Sequence, residues 1–162
     1  MENLNKEQSK KIYQCLFHPQ SIAVIGASND VLKTGGRVLK NIKDHSYPGN
    51  LWAVNPKTPN VQDLPTFTSV DTLPEAPELA IVAIPAPFVL GTLEELSKKG
   101  TEAVIVLTSG FGEKDAAGKN LEKKMLAVAD EAGMALIGPN CSGFLTPTYK
   151  GKFAGLIPTL PG

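Results

Sequence analysis

The chain has 162 residues, 42% hydrophobic and 20% charged, which is the size and composition of one globular domain, or of one domain with a short tail. Sixteen Lys and Arg balance sixteen Asp and Glu, and Arg37 is the single arginine, so a nucleic-acid or anionic-membrane binder working through bulk charge is not expected. No apolar run approaches the ~20 residues of a membrane span, the first residues lack the apolar core of a secretory signal, and Cys15 and Cys141 form neither a disulfide framework nor a zinc pattern, which makes a reducing cytoplasm the expected compartment.

Residues 1–18 read as a short amphipathic helix and a connector. Asn5 with Gln8 three residues on has the form of a capping box. Ile12, Tyr13, Leu16 and Phe17 fall on one apolar stripe. His18-Pro19 stops the helix, because the residue before a proline is pushed out of the α region. Ser21 to Gly26 is a continuous apolar run ending in glycine, the pattern of a strand buried on both faces. Gly35, Val38, Leu39 and Ile42 then recur at helical spacing, and Leu51–Asn55 is a second strand. Thr66 to Val70 is a weak strand at the sheet edge. Leu79–Ile84 is an unbroken apolar strand that stops at Pro85, and Val89, Thr92, Leu93 and Leu96 mark the next helix face. Ala103–Leu107 is another buried strand. Leu121, Met125, Val128, Ala129 and Ala132 form a helical stripe closed by Gly133. Met134–Ile137 is the last strand.

This alternation of strands and helical patterns predicts right-handed crossovers and a parallel sheet covered on both faces. The fold class is α/β, a Rossmann-like doubly wound sheet. Residues 19–145 form the domain, with 1–18 ahead of it and 146–162 as a linker. Such folds bind ligands outside the carboxyl ends of the strands, so the loops there carry the functional reading.

The first loop, Gly26 to Gly36, opens with a glycine straight after the strand and has glycines at the helix start. These let a phosphate approach the free N–H groups and the positive end of the helix dipole. Ser28 stands where the second glycine of a dinucleotide fingerprint would be, and the loop is longer than that fingerprint. Ser28 offers a hydroxyl and Lys33 a charge to a phosphate. The plain alternative is a strand-to-helix turn with a solvated lysine. After the second strand, NAD enzymes carry an acid that accepts hydrogen bonds from the ribose 2′-OH. Here the residues are Asn55, Pro56 and Lys57. A cation suits a ribose that bears a phosphate, as in NADP or coenzyme A, and an exposed turn lysine is the alternative. Ile84, Pro85, Ala86, Pro87 and Phe88 lack two backbone donors and form a rigid apolar wall, with Pro87 suited to the first helical position. Thr108 and Ser109 precede Gly110 and Gly112, which allow close backbone approach. Asn140 can hold a carbonyl or an amide, while Cys141 reads as a structural thiol. No His/Cys cluster or carboxylate pair has metal-ligand spacing. His18 and His45 fall outside the strand-end loops, which leaves no Ser–His–Asp arrangement. Lys33, Arg37 and Lys40 share one helix face and add positive potential near the first loop.

Ser21 to Ser28, then Lys33 and Gly35, then Val54 to Lys57 resemble the CoA-binding domain of NDP-forming acyl-CoA synthetases, above all the ADP-forming acetyl-CoA synthetase branch. Ile84 to Phe88 and Ile137 to Cys141 also resemble the succinyl-CoA synthetase alpha subunit. The resemblance implies coenzyme A as ligand, lying across the strand ends. Gly26, Ala27, Ser28 and Lys33 would then face its phosphates, with Asn55, Pro56 and Lys57 at the ribose phosphate. Ile84, Pro85, Ala86 and Pro87 would border adenine and pantetheine, and Thr108, Ser109 and Asn140 would lie toward the thiol. It further implies partner modules: a flavodoxin-like domain with a phosphorylated histidine and an ATP-grasp domain, neither of which fits in 162 residues. His18 and His45 do not match that histidine, so the chain is expected to be an inactive piece of a ligase. Two other readings keep the domain: a synthetase-like region of a protein lysine acetyltransferase, and a regulatory NAD(P)-binding module.

Overall fold

Apolar runs buried from both sides make the centre of the sheet. The computed structural model describes residues 6–143, 145–146 and 151–152. Its strands are β1 (Ser21–Ile25), β2 (Asn50–Val54), β3 (Asn60–Val61), β4 (Leu64–Phe67), β5 (Leu79–Val82), β6 (Ala103–Val106) and β7 (Ala135–Ile137), with a separate pair, β8 (Leu145–Thr146) and β9 (Gly151–Lys152). The order in the main sheet is β3-β4-β2-β1-β5-β6-β7. All neighbours are parallel except β3 and β4, which are antiparallel. β1 lies between β2 and β5, with Ala23 opposite Trp52 on one side and Ala80 on the other. Every residue of β1, β5 and β6 is buried, as expected of strands with helices on both faces.

The two-residue period of the strands sorts side chains between two cores. Ile22, Val24, Ile81 and Ile105 meet Val38, Leu39 and Ile42 of α2 (Thr34–Asp44), together with Cys15 and Leu16 of α1 (Lys6–Phe17). Ala23, Ile25, Val82, Val104 and Val106 meet Val89, Leu93 and Leu96 of α3 (Ala86–Lys99) and Met125 and Ala129 of α4 (Ala116–Ala132). The doubly wound α/β reading therefore holds. α4 starts on Asp115, whose carboxylate accepts the Gly118 N–H at 2.8 Å, and ends on Gly133 as expected.

Several details differ from the sequence reading, among them the strand ends, since β5 stops at Val82 rather than running to Ile84. The third strand spans Leu64–Phe67 rather than residues 66–70, and β3 lies outside it as the true edge. Beyond Phe67 the chain turns: the Thr72 hydroxyl donates to the Ser69 carbonyl at 2.9 Å, and Val70 drops into the core without joining the ladder. Tyr13 is 56% exposed rather than part of a buried stripe. α1 instead turns Cys15 and Leu16 inward, and the Tyr13 ring lies over Phe17 with centroids 4.8 Å apart. Pro87 is the second residue of α3, which starts one residue earlier at Ala86 with Pro85 as its N-cap. α1 ends at Phe17, in agreement with the His18-Pro19 stop. Asn5, the expected cap of α1, and most of the expected linker 146–162 lie outside the described residues. No helix among the described residues is long and apolar enough to cross a membrane.

Cys15 is 3% exposed. Burial pushes its thiol from 9.0 up to about 11, the Glu78 and Glu102 carboxylates push the same way, and Lys11 opposes them. Between those two values the unfolded chain binds fewer protons than the folded one. The stabilisation from this protonated thiol is therefore complete below about pH 9 and is lost as pH rises toward 11. Cys15→Ala should flatten the alkaline fall of the urea midpoint over that window. At pH 8, iodoacetamide should alkylate the half-buried Cys141 of the native chain well before Cys15.

Candidate functional site

A crevice of about 720 Å³ opens at the carboxyl ends of β1, β2, β4 and β5. β1 is where the chain reverses its direction of travel across the sheet, with β2 on one side and β5 on the other. Doubly wound sheets place ligands at such a switch point.

The floor is backbone. Gly26 has φ of +89°, and a Cβ there would overlap the Ala83 carbonyl oxygen, so only glycine fits the end of β1. The N–H groups of Gly26 and Ala27 both point to the Val54 carbonyl, at 3.0 and 3.2 Å. These two residues therefore supply shape and close approach rather than donors. Donors and charge come from farther along the loop. The Ser28 hydroxyl accepts the Asp30 N–H at 3.0 Å and keeps its own proton to donate. Lys33 is the N-cap of α2 and no side chain caps that helix, so the positive end of its dipole has no side-chain acceptor, and of its first turn Lys33 lines the crevice. Gly35 does not line the crevice. A Cβ on it would overlap the Gly26 carbonyl, and its role is to let α2 start directly against the end of β1.

At the end of β2, Asn55 is a brace. Its amide Nδ2 donates to the Ala27 carbonyl at 2.8 Å, and its Oδ1 accepts the N–H groups of Lys57 and Thr58 at 2.8 and 3.0 Å. Those bonds tie the first two loops together and shape the turn that presents Lys57. Lys57 and Pro56 line the crevice, and Lys57 is exposed. The opposite wall is Ile84, Pro85 and Phe88, the last 64% exposed. Ala86 and Pro87 start α3 behind this wall and do not line the crevice.

Thr108, Ser109 and Asn140 also lie outside the crevice, at the ends of β6 and β7. The Thr108 hydroxyl donates to the Ile84 carbonyl at 2.7 Å, and the Asn140 N–H donates to the Thr108 carbonyl at 2.8 Å. The group is thus joined to the crevice wall through Ile84. The glycine loop between β6 and α4 is filled by its own carboxylates. Glu113 accepts the N–H groups of Gly110 and Phe111, and Glu122 accepts that of Gly112. The Gly110 and Phe111 bonds hold the Glu113 carboxyl below the usual carboxylate range. Cys141 is half-buried and its thiol sits 3.3 Å from the Val106 carbonyl.

Nine lining residues fall outside the site residues expected from the sequence: Thr68, Ser69 and Val70 after β4, Phe88, Thr92 and Glu95 on α3, and Ile25, Val54 and Ala83 at the ends of β1, β2 and β5. The first three lie in the segment read as strand. Phe88, Thr92 and Glu95 follow each other at helical spacing, the signal that would have found them. Glu95 is the only carboxylate among the lining residues.

The residues present suit a phosphorylated adenosine ligand. Two lysines from different loops flank an apolar cleft, one beside a helix N-terminus, and no acid stands at the end of β2. The fold and the crevice define a Rossmann-like nucleotide-binding module. Residues 20–147 match the family described as the CoA binding domain, and the chain belongs to that family, whose ligand is coenzyme A. The chain is 43% identical to the alpha subunit of ADP-forming acetate–CoA ligase II of Pyrococcus furiosus, over 85% of this chain and 32% of that one. The crystal structure of the PH0766 protein of Pyrococcus horikoshii OT3 superposes with a TM-score of 0.84 at 38% identity, covering 90% of this chain and 33% of that one. A dinucleotide-forming acetyl-coenzyme A synthetase 1 of Ca. Korarchaeum cryptofilum, in complex with phosphate and ADP, superposes with a TM-score of 0.82 at 30% identity, covering 88% of this chain and 30% of that one. The chain spans about a third of the length of these relatives.

The Asn55 brace yields a stability test. Asn55→Asp keeps both acceptor bonds but sets a carboxylate oxygen against the Ala27 carbonyl. It should cost about 1–3 kcal/mol in urea unfolding, and Asn55→Ser, which is too short to reach Ala27, should cost a similar amount.

Proposed function

We propose that this chain is the coenzyme A-binding part of an ADP-forming acyl-CoA ligase, which interconverts acid, CoA and ATP with acyl-CoA, ADP and phosphate. The observation that carries the reading is the exposed Lys57 at the end of β2, where a dehydrogenase would hold a carboxylate. In this reading the CoA diphosphate lies against Ser28, Lys33 and the first turn of α2. Gly26 and Ala27 allow it to come close. Lys57 meets the 3′-phosphate, with Asn55 and Pro56 shaping its turn. Adenine and the start of pantetheine lie between Val54, Val70, Ile84, Pro85 and Phe88. The pantetheine arm then runs past Ile84 toward Thr108, Ser109 and Asn140, where the CoA thiol is available as acyl acceptor.

The crevice volume falls within the range of roughly 300–1,000 Å³ usual for small-molecule sites, and the mixture of apolar wall and flanking cations suits a long, anionic, partly apolar ligand. The work of these residues is to bind and orient. Phosphoryl chemistry belongs to other modules of the same enzyme: a flavodoxin-like domain bearing a histidine and an ATP-grasp domain. The names of the relatives, an ADP-forming acetate–CoA ligase subunit and an acetyl-coenzyme A synthetase in complex with phosphate and ADP, support the ligase reading. The chain by itself is a binding module and turns nothing over.

Calorimetry on this chain with CoA, dephospho-CoA and NAD tests the reading. CoA should bind about tenfold or more tightly than dephospho-CoA, the worth of one charge-assisted contact. Lys57→Ala should abolish that ratio while leaving dephospho-CoA affinity in place. Equal affinity for the two nucleotides in the wild type, or tighter binding of NAD than of CoA, would overturn it.

A further inference from the structure

The β3–β4 hairpin is not part of the crevice, yet it is bonded to the loop between β1 and α2 that forms one side of it. The Gln62 side-chain amide donates one N–H to that loop, at the Ser28 carbonyl (2.8 Å), and the other to the first turn of α2, at the Gly36 carbonyl (2.7 Å). The Gln62 backbone N–H donates to Asn29 Oδ1 at 2.7 Å, and Asn29 Nδ2 donates back to the Asn60 carbonyl at 3.2 Å. Lys43 Nζ of α2 donates to the Gln62 carbonyl. One residue thus bridges the loop and the helix that follows it.

Its backbone is held at a cost. Val61 pairs with Leu64, so Gln62 and Asp63 are the whole turn, and both have positive φ, 50° and 66°. Such turns favour Asn, Asp and Gly. A glutamine there is disfavoured, and strained backbone kept in place by several directed bonds is a mark of a functional constraint.

We infer that Gln62 is a positioning residue for the coenzyme A diphosphate. It draws the Ser28 carbonyl toward the hairpin. The C=O and N–H of a trans peptide point in opposite directions, so the Asn29 N–H is turned away from the hairpin. Without the clasp, the Ser28 carbonyl dipole in the phosphate-binding loop would be free to swing and oppose an anion, whereas the Gly36 carbonyl, held in α2, is the fixed anchor of the clasp. The inference rests on the diphosphate lying at Ser28 and Lys33, as proposed above.

The test uses the chain with three substitutions. Gln62→Met keeps the size and removes both donors, Gln62→Gly removes them and suits the positive φ, and Asp63→Gly relaxes the turn while keeping the clasp. The readouts are affinities for CoA and dephospho-CoA, and amide exchange of residues 28–36 without ligand. Both Gln62 variants should bind the two nucleotides about tenfold more weakly, with the CoA to dephospho-CoA ratio unchanged and exchange in residues 28–36 accelerated. Asp63→Gly should bind like the wild type. Gln62 variants with wild-type affinity, a change confined to the ratio, or an equal loss in Asp63→Gly would each overturn the inference while leaving CoA binding intact. A wild-type chain that binds neither nucleotide would remove the placement of CoA itself, and the role of Gln62 with it.

Discussion

The end of β1, the start of α2 and the end of β5 meet backbone to backbone. A side chain on Gly35 would overlap the Gly26 carbonyl, and one on Gly26 would overlap the Ala83 carbonyl. No rotamer change relieves contacts of that kind, because the obstacle is main chain rather than a movable side chain. The depth of the crevice, the closeness of the α2 N-terminus to it and the seating of α2 on the sheet all follow from this one approach. A helix that began even one residue later would carry its dipole away from the ligand edge, where the field falls off within a turn.

The uncapped helix start and the crevice lysines lie on one half of the strand-end surface. On the α2 side the first-turn donors and Lys33 are uncapped, and Lys57 faces the same crevice. On the α4 side the loop N–H groups are taken by Glu113 and Glu122, and the helix start by Asp115. Those loop donors are therefore already paired with the chain's own carboxylates. The bond from Thr108 to the Ile84 carbonyl joins the two halves and ties the apolar wall to the β6 loop.

The central strands were legible because burial on both faces leaves an unbroken apolar run, as in Leu79–Val82 and Ala103–Val106. β4 was less so, since Thr66 and Thr68 alternate with larger residues and the real end of the strand is set by a Ser69–Thr72 turn bond. The glycine and lysine loops could be read because the residue types themselves carry the chemistry. The roles inside those loops could not. The resemblance places Asn55 at the ribose phosphate, while its side-chain bonds run to Ala27, Lys57 and Thr58, a bracing role that residue type does not reveal. Thr92 was counted with the core face of its helix, because a periodicity of apolar residues does not say where the helix rim meets a cleft. Gln62 left no pattern at all. Its partners Ser28 and Gly36 are 34 and 26 residues away, and a single amide has no spacing to recognise.

Both rims of the main sheet are short. On one side β3 has two residues, and its neighbour β4 carries Pro65. On the other side β7 has three, followed at once by Gly138 and by Pro139, which lacks an N–H. Neither rim offers a run of open donors and acceptors long enough to template a foreign strand. Such blunt rims disfavour edge-to-edge pairing between copies, even though the strands they enclose are among the most apolar stretches of the sequence.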